Sequence, residues 1–272
     1  MNVELIVDST VDVPEHIRSR LTVVPLTIHF GQEEYLDGVT LDKHRFYERL
    51  VESDVLPTTS QASPAAFDRE FRRGRRSGGS AVVLTISAQL SGTYQSACIA
   101  AAEYDNIYVV DSGTAAIGAG ILAEYALACL DRGMDAAGLA RALEQKRQDV
   151  CVLALVDTLE YLKRGGRIGG TTARLGTMLN IKPVMHVDDE GHLVPLEKVP
   201  GRKKSLSALL DHMERTGTAP IADCIDDAKW LEKKIRERFG VEDIRINYVD
   251  PVIGAHSGPG TMALFFLASN RD

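Results

Sequence analysis

The stretch AVVLTISAQLSGTYQSA, residues 81–97, carries the fold prediction for this chain. Its first residues, AVVL, are an apolar run typical of a buried strand, and the apolar spacing at its end and just beyond predicts a helix. Between strand and helix the chain is polar, small and uncharged, with hydroxyls and a glycine at Ser87, Ser91, Gly92 and Thr93. A buried strand that passes directly into a helix is the elementary unit of an α/β fold.

The same alternation extends over the first 149 residues. Strands are predicted at 3–7, 23–30, 81–86 and 107–110. Helices are predicted at 15–20, 41–52, 63–71, from 91 onward, 114–131 and 135–148. Strands that alternate with helices at this rhythm predict βαβ units and a mostly parallel sheet.

The pattern restarts near residue 150, so we predict two α/β domains, 1–149 and 150–272. In the second, apolar runs at 183–187 and 192–198 flank DDEG, which is typical of an antiparallel hairpin. Further strands are predicted at 151–156, 221–225 and 244–249, and helices at 158–163, 203–216 and 227–239. The last apolar run, 261–267, fits a closing strand, and a short buried helix fits almost as well. A mixed sheet is therefore predicted for this domain.

Composition narrows the class of protein. Hydrophobic residues make up 44% and charged residues 25% of the chain, as in soluble globular proteins. The net charge of −7, with no long basic block, argues against nucleic-acid binding. No apolar run is long enough to cross a bilayer, and the opening MNVELIVDST lacks the layout of a signal peptide. The four cysteines are scattered in apolar contexts and are expected to be reduced, so we predict a cytoplasmic protein.

Three polar segments are candidates for ligand binding: 8–10 after the first strand, 58–61 before a helix, and 87–93. In open α/β sheets, ligands bind beyond the carboxyl ends of the strands. Ser91 is predicted to cap the following helix, which would leave the N–H groups of Gly92 and Thr93 at its positive end. A carboxylate or phosphate could bind there without a lysine. The alternative is a Ser-Gly pair that only caps the helix.

The segment PVIGAHSGPGT, 251–261, predicts a compact glycine-rich loop that presents His256, which could hydrogen-bond an anion. A purely structural histidine is the alternative. The other histidines show no metal-binding spacing, and no metal site is predicted. Basic residues concentrate at 163–167 and 202–204. Arg167 and Arg202 are candidates for docking a partner or anionic lipid headgroups, and solvated helix ends are the alternative.

In their order and spacing these segments resemble the DegV family, the fatty-acid-binding (FakB-type) subunits of bacterial fatty acid kinase. The resemblance runs nearly end to end. It is carried by VDSTVDVP (7–14), TTSQASPAAF (58–67), TISAQLSGTYQSA (85–97), VVDS (109–112), LEYLKRGGRI (159–168), NIKPV (180–184) and VIGAHSGPGT (252–261). It implies a two-domain α/β carrier with a fatty acid in the cleft between the domains.

The resemblance also implies roles for individual residues. The fatty-acid carboxylate would be bound by Thr59, Ser91 with Gly92, and His256. Apart from the resemblance, Ser9 and Ser60 belong to the polar segments after the first strand and before the helix at 63, which we expect to support this site, and Met178, Ile181 and Phe265 are our own candidates for lining the acyl pocket. One departure is Ala62, where many members of the family have proline.

By the same resemblance, a separate kinase subunit binds ATP and Mg²⁺ and phosphorylates the fatty acid that this chain presents. This chain would need no cofactor, would hold the acyl phosphate for phospholipid synthesis, and would touch the membrane surface transiently. The sequence has no G-x-x-x-x-G-K-[ST] loop, which agrees with this division. About fifteen buried methylenes at ~0.8 kcal/mol each give a gross driving force on the order of 10 kcal/mol, enough to allow an uncharged head-group site.

Two other functions remain open from the sequence. The first is a serine hydrolase or acyl-transfer enzyme with Ser91 as nucleophile, His256 as base, and Asp8 or Asp111 as orienting acid. Against it, the G-x-S-x-G elbow is absent, because Gln89 and Thr93 stand at the glycine positions. The second is a small-metabolite binder, which would have a short, polar cleft.

Overall fold

The structure of the protein, a computed structural model, describes residues 3–75, 79–168, 181–223 and 225–268. The chain divides into two compact units, Met1–Arg147 and Gln148–Asp272. The predicted boundary lies between residues 149 and 150, and we further predict that residues 1–149 carry the carboxylate-binding turns and that residues 150–272 contribute the acyl-chain pocket and the glycine-rich segment after His256. Each unit is α/β, as the alternation of strands and helices predicts.

The first unit contains seven described strands and six described α-helices. The strands are β1 (Val3–Asp8), β2 (Thr22–Val24), β3 (Thr27–Phe30), β4 (Glu33–Leu36), β5 (Thr58–Ser60), β6 (Ser80–Thr85) and β7 (Ile107–Asp111). The helices are α1 (Glu15–Arg18), α2 (Lys43–Glu52), α3 (Pro64–Arg75), α4 (Thr93–Ala101), α5 (Ala116–Asp131) and α6 (Ala136–Lys146). A 3₁₀ turn, Arg147–Asp149, follows α6.

The main sheet of the first unit is parallel, in the order β2-β1-β6-β7. The central strands β1 and β6 are buried over most of their length, which fits their continuous apolar runs. Helices α4 and α5 follow β6 and β7 and therefore begin at the carboxyl edge of this sheet. The predicted parallel sheet is confirmed.

A second, antiparallel sheet in the order β4-β3-β5 corrects two predictions. The run 23–30 is not one strand: it is divided at Pro25–Leu26 into β2, in the parallel sheet, and β3, in the antiparallel one. Proline has no N–H to give to a sheet, so it suits a point where the chain changes sheets. Residues 58–60, predicted as a polar turn, form the edge strand β5, which pairs with β3.

The second unit is built on a six-stranded mixed sheet, in the order β10-β9-β8-β13-β11-β12. Its strands are β8 (Val150–Leu155), β9 (Ile181–Val187), β10 (Leu193–Pro200), β11 (Gly217–Asp223), β12 (Ile246–Asn247) and β13 (Met262–Ala268). Its helices are α7 (Glu160–Arg164), α8 (Arg202–Thr216), α9 (Ile225–Phe239) and α10 (Pro251–Ser257).

The pairing in this sheet decides the open questions about the second unit. Strands β9 and β10 form the predicted antiparallel hairpin. The closing run is the strand β13, which lies antiparallel to both β8 and β11, so the helical alternative is wrong. Leu155, Leu209 and Leu264 belong to the buried core of this unit. Among the described residues, none of the helices combines the length and the hydrophobicity that a membrane-spanning helix requires.

Candidate functional site

Asp8 lies at the carboxyl end of β1 and is completely buried. Its Oδ2 accepts a hydrogen bond from the Ile86 N–H at 2.7 Å. Its Oδ1 accepts from the N–H and the hydroxyl of Thr10, at 2.9 and 2.5 Å. Burial raises the pKa of Asp8, while these hydrogen bonds oppose the rise. Asp8 therefore ties the end of β1 to the residue that follows β6.

Ser9 links this edge to a second buried acid. The Ser9 hydroxyl accepts a hydrogen bond from the Leu26 N–H at 3.1 Å and is also hydrogen-bonded to Asp37. Asp37 is only 3% exposed, and its Oδ2 has no hydrogen-bond partner in the described structure. Burial raises the pKa of Asp37 to about 6. Ser9, predicted as a supporting turn residue, thus belongs to a buried network.

Asp111 holds together the loops after β6 and β7. Its Oδ1 accepts from the N–H groups of Ala88 and Gly113, at 3.1 and 2.8 Å. Its Oδ2 lies 3.4 Å from Nη1 of Arg147, which also donates to the Asp111 carbonyl at 2.8 Å. Asp8 and Asp111, the two acids proposed for a catalytic triad, are thus both engaged within the first unit, each largely with backbone N–H groups.

The turn between β6 and α4 is closed by its own hydroxyls. The Ser91 hydroxyl accepts from the Thr93 N–H at 3.3 Å and lies 2.9 Å from the Thr93 hydroxyl. The prediction that Ser91 is the N-cap is wrong, because the helix begins at Thr93 with Gly92 at the cap position. The Thr93 N–H is therefore occupied, whereas the Gly92 N–H has no acceptor among the described residues.

Strand β5 brings the segment Thr58–Gln61 to this turn. Thr59 lies opposite the buried Ile28 and shares its face of the small sheet. Ser60 lies on the other face, where its hydroxyl is 2.8 Å from Nε2 of His29. The side chains of Thr59 and Ser60 therefore lie on opposite faces of the small sheet.

Gln61 is the residue through which these segments meet, and the sequence analysis missed it. Its Nε2 donates to the Ser96 hydroxyl, on α4, at 2.8 Å. A Cβ atom built on Gly92 would lie 1.9 Å from the Gln61 Oε1. Only the shared polar character of 58–61 and 87–93 could have suggested this contact from the sequence.

His256 is the candidate residue of the second unit. The predicted glycine-rich loop is wrong at this position, because His256 lies in the last turn of α10 and the loop begins at Gly258. The ring packs on Gly165, where a Cβ would be 2.1 Å from the His256 Nδ1. Burial, and then the nearby charge of Arg167, lower the pKa of His256 to about 4. His256 is therefore neutral at pH 7.

The turn after His256 is held by close contacts. Gly258 has a φ of +79°, and a Cβ there would lie 2.4 Å from the ring of Tyr161. Arg202 donates to the Gly260 carbonyl at 2.8 Å and to Asp157 Oδ1 at 2.7 Å. Arg202 also donates to Asp227, at 2.5 Å. Arg202, predicted to dock a partner, is thus joined to this turn, while Arg167 donates to the Gly165 carbonyl.

The three predicted acyl-pocket residues have different outcomes. Met178 lies outside the described residues. Ile181 begins β9 and is half-buried, and Phe265 lies in β13 and is only 5% exposed. Their role as pocket lining stays a prediction.

Two other features lie away from these turns. Asp188, Glu190 and His192 bring potential ligand atoms within 4.8 Å of one another at the β9–β10 turn. Asp188 already serves this turn, because it accepts from the His192 N–H at 2.8 Å. A cavity of about 730 Å³ lies at the amino edge of the parallel sheet, beside Val3 and Ile107.

Comparison with known proteins gives a family. The family model described as "Uncharacterised protein, DegV family" matches residues 2–269. A DegV domain-containing protein of Clostridium perfringens is 35% identical to this chain over an alignment of 283 positions that covers 97% of each chain.

Solved structures of DegV proteins are also similar to this chain. A DegV family protein from Thermus thermophilus, described by its fatty acid binding, has a TM-score of 0.89 and 33% identity over 98% of this chain and 100% of its own. A fatty acid binding DegV family protein from Streptococcus agalactiae has a TM-score of 0.90 and 28% identity over 99% of this chain and 100% of its own.

Proposed function

Because the chain belongs to the DegV family, we propose that it is a carrier of a long-chain fatty acid whose carboxylate binds at the turn before α4. The supporting observation is the Gly92 N–H, which has no acceptor among the described residues and lies at the positive end of α4. The first turn of α4 contains no acidic residue, and the Ser91 and Thr93 hydroxyls are adjacent. The similar proteins from Thermus thermophilus and Streptococcus agalactiae are described as binding fatty acids.

We assign the carboxylate contacts to Thr59, Ser91, Gly92 and His256, as the family resemblance implies. A neutral imidazole retains one N–H donor, so His256 can donate a hydrogen bond to a carboxylate without a full charge. The tail, with Met178, Ile181 and Phe265 as candidate pocket residues, supplies most of the affinity, on the order of 10 kcal/mol before the costs of binding. The head group then mainly fixes orientation.

The proposed partner is a separate kinase subunit that holds ATP and Mg²⁺. A carboxylate oxygen of the bound fatty acid attacks the γ-phosphorus, the bond from that phosphorus to the bridging oxygen breaks, and ADP leaves. The acyl phosphate remains on this chain for phospholipid synthesis. Hydroxyl and amide donors can serve both the carboxylate and the phosphate. We further propose that the kinase subunit docks at Arg167 and Arg202. The protein would be cytoplasmic and would touch the membrane surface transiently.

Native mass spectrometry of the purified protein, followed by solvent extraction, tests the carrier function. We expect one fatty acid per chain, and a lower occupancy in Ser91→Ala than in Ser207→Ala, a control on the exposed surface of α8. A fluorophosphonate probe tests the hydrolase alternative. Covalent labelling of Ser91 without any extractable fatty acid would contradict the carrier.

The kinase coupling needs its own experiment. Arg167→Glu is expected to slow acyl phosphate formation with the kinase subunit while oleate stays bound, and Arg141→Glu, on the surface of the first unit, is the control. Arg202→Glu is a less clean test, because it would also place a negative charge beside Asp157 and Asp227. An unchanged coupled rate in Arg167→Glu would remove this residue from the docking surface.

A further inference from the structure

Gln61 joins the two segments of the first unit that carry the proposed head-group residues. It follows β5, which contains Thr59, and its Nε2 donates to the Ser96 hydroxyl of α4 at 2.8 Å. Ser96 is buried, so its hydroxyl is a fixed acceptor rather than a mobile surface group. The carboxamide therefore spans from the end of β5 to the first turn of the helix that begins after Ser91 and Gly92.

Glycine at position 92 is explained by space and not by backbone conformation. Gly92 has φ −69° and ψ 3°, which any residue can adopt. A Cβ there would lie 1.9 Å from Oε1, 2.8 Å from Cδ and 3.1 Å from Nε2 of Gln61. All three nearest atoms belong to one side chain, so the carboxamide rests directly on the Gly92 backbone.

We propose that Gln61 is a positioning residue for the fatty-acid head group: its carboxamide, seated on Gly92 and bonded to Ser96, sets the spacing between Thr59 and the turn at Ser91. This inference rests on the proposed function. Donors that are held in place before the ligand arrives lose less freedom on binding, so the effect falls on the carboxylate and not on the tail.

A chain-matched ligand pair separates positioning from folding. The affinity of delipidated protein is measured for oleate and for oleyl alcohol, which has the same tail and no carboxylate. Gln61→Ala is expected to weaken oleate binding about fivefold to tenfold, as for one lost hydrogen bond, and to change oleyl alcohol binding less than about twofold. Gln95→Ala, a substitution at an exposed glutamine of α4, is the matched control.

The steric contact predicts that the two substitutions do not add. Gly92→Ala alone is expected to weaken oleate binding about as much as Gln61→Ala, because its methyl group displaces the flexible carboxamide from its place on the Gly92 backbone. In Gly92→Ala combined with Gln61→Ala the methyl occupies the vacated space, and the affinity should stay at that of Gln61→Ala. Gln61→Glu keeps the shape and adds a negative charge, so it should weaken oleate binding selectively.

The outcomes distinguish this inference from the function on which it rests. If wild-type protein binds neither ligand, the carrier proposal fails and the positioning role fails with it. If wild-type protein binds oleate but Gln61→Ala weakens both ligands equally, the residue is only structural. If the two single losses simply multiply in the double variant, the contact between Gln61 and Gly92 does not set the affinity.

Discussion

The carboxyl edge of the parallel sheet in the first unit and the α7–α10 region of the second unit contain opposite kinds of titratable group, and burial disfavours the charged form of each. In the first unit, burial raises the pKa of Asp37 to about 6 and also raises that of Asp8. In the second unit, burial lowers the pKa of His256 to about 4. His256 is therefore uncharged at pH 7, which fits the proposed ligand, a fatty acid that is bound mainly by its apolar tail.

The two regions differ in how their glycines are used. Gly92 has a relaxed backbone and is covered by Gln61, which is largely exposed. Gly258 has a φ of +79° and packs against the ring of Tyr161. The first contact can yield when a side chain moves, whereas the second combines a conformation that favours glycine with a contact to an aromatic ring. We therefore expect the second region to be far less tolerant of substitution.

The largest effect is expected for Gly258→Ala. Backbone strain and the collision with Tyr161 together should lower the free energy of unfolding by about 4 kcal/mol. Gly240→Ala is the control, because Gly240 also has a positive φ, +66°, but a Cβ there would meet nothing within 4 Å. Strain alone should cost about 1 kcal/mol at that position. Equal losses in urea denaturation would show that the Tyr161 contact contributes nothing.

Protonation of the buried Asp37 carboxylate should increase the free energy of unfolding as the pH falls. Its folded pKa, about 6, lies above its ordinary value of 3.8, so the folded state binds the proton more tightly. This group should add up to about 3 kcal/mol to the free energy of unfolding as the pH falls through 6, levelling off below 3.8.

Asp8 contributes in the same direction, so the pH dependence of wild-type protein is compared with that of Asp37→Asn. Between low pH and pH 7, Asp37→Asn should lose less of its free energy of unfolding than wild type does. Its plot of unfolding free energy against pH should therefore be flatter. The same substitution at the exposed Asp105 is the control. Parallel curves for wild type and Asp37→Asn would assign the dependence to another group.

Arg167→Gln is expected to raise the pKa of His256 only partly. The positive charge of Arg167 is the smaller cause of the lowered pKa, and burial is the larger. The pKa, followed by NMR of the ring protons, should therefore rise from about 4 and remain below 6.5. A pKa that does not move would mean that the charge of Arg167 is not felt at the imidazole.

The smallest effect is expected in β5, whose neighbouring threonines lie on opposite faces. Thr59→Val should weaken oleate binding about fivefold, the value of one hydrogen bond near 1 kcal/mol. Thr58→Val makes the same change on the exposed face and should leave the affinity within about twofold. If both variants bind oleate like wild type, Thr59 has no part in the head-group site.

Particular residues show what the sequence could and could not predict. The strand at 81–86 was predicted closely because a buried parallel strand is a continuous apolar run. The division of 23–30 was missed because hydrophobicity does not report a change of sheet, and Pro25 was the only sign. Strand β5 was missed because its pairing with β3 depends on residues about thirty positions away.

For the candidate site, too, local features could be predicted from the sequence and contacts between distant segments could not. The polar turns were found because hydroxyls and glycine at strand ends are local features. The contact of Gln61 with Gly92 was not, because nothing local to either residue requires the other. The sequence predicts a loop at His256 because Gly254 and the glycines after it weaken a helical pattern, although Pro251 is well suited to the first position of a helix.

The proposed carrier function depends most on one contact, in which a fatty-acid carboxylate accepts a hydrogen bond from the Gly92 N–H at the start of α4. The most direct test is the amide spectrum of ¹⁵N-glycine-labelled, delipidated protein during titration with oleate. We expect the resonance of the Gly92 N–H to move downfield to saturation at one oleate per chain, while those of Gly133 and Gly240, both in open surroundings, do not move. Stoichiometric oleate binding with an unshifted Gly92 resonance would exclude this hydrogen bond.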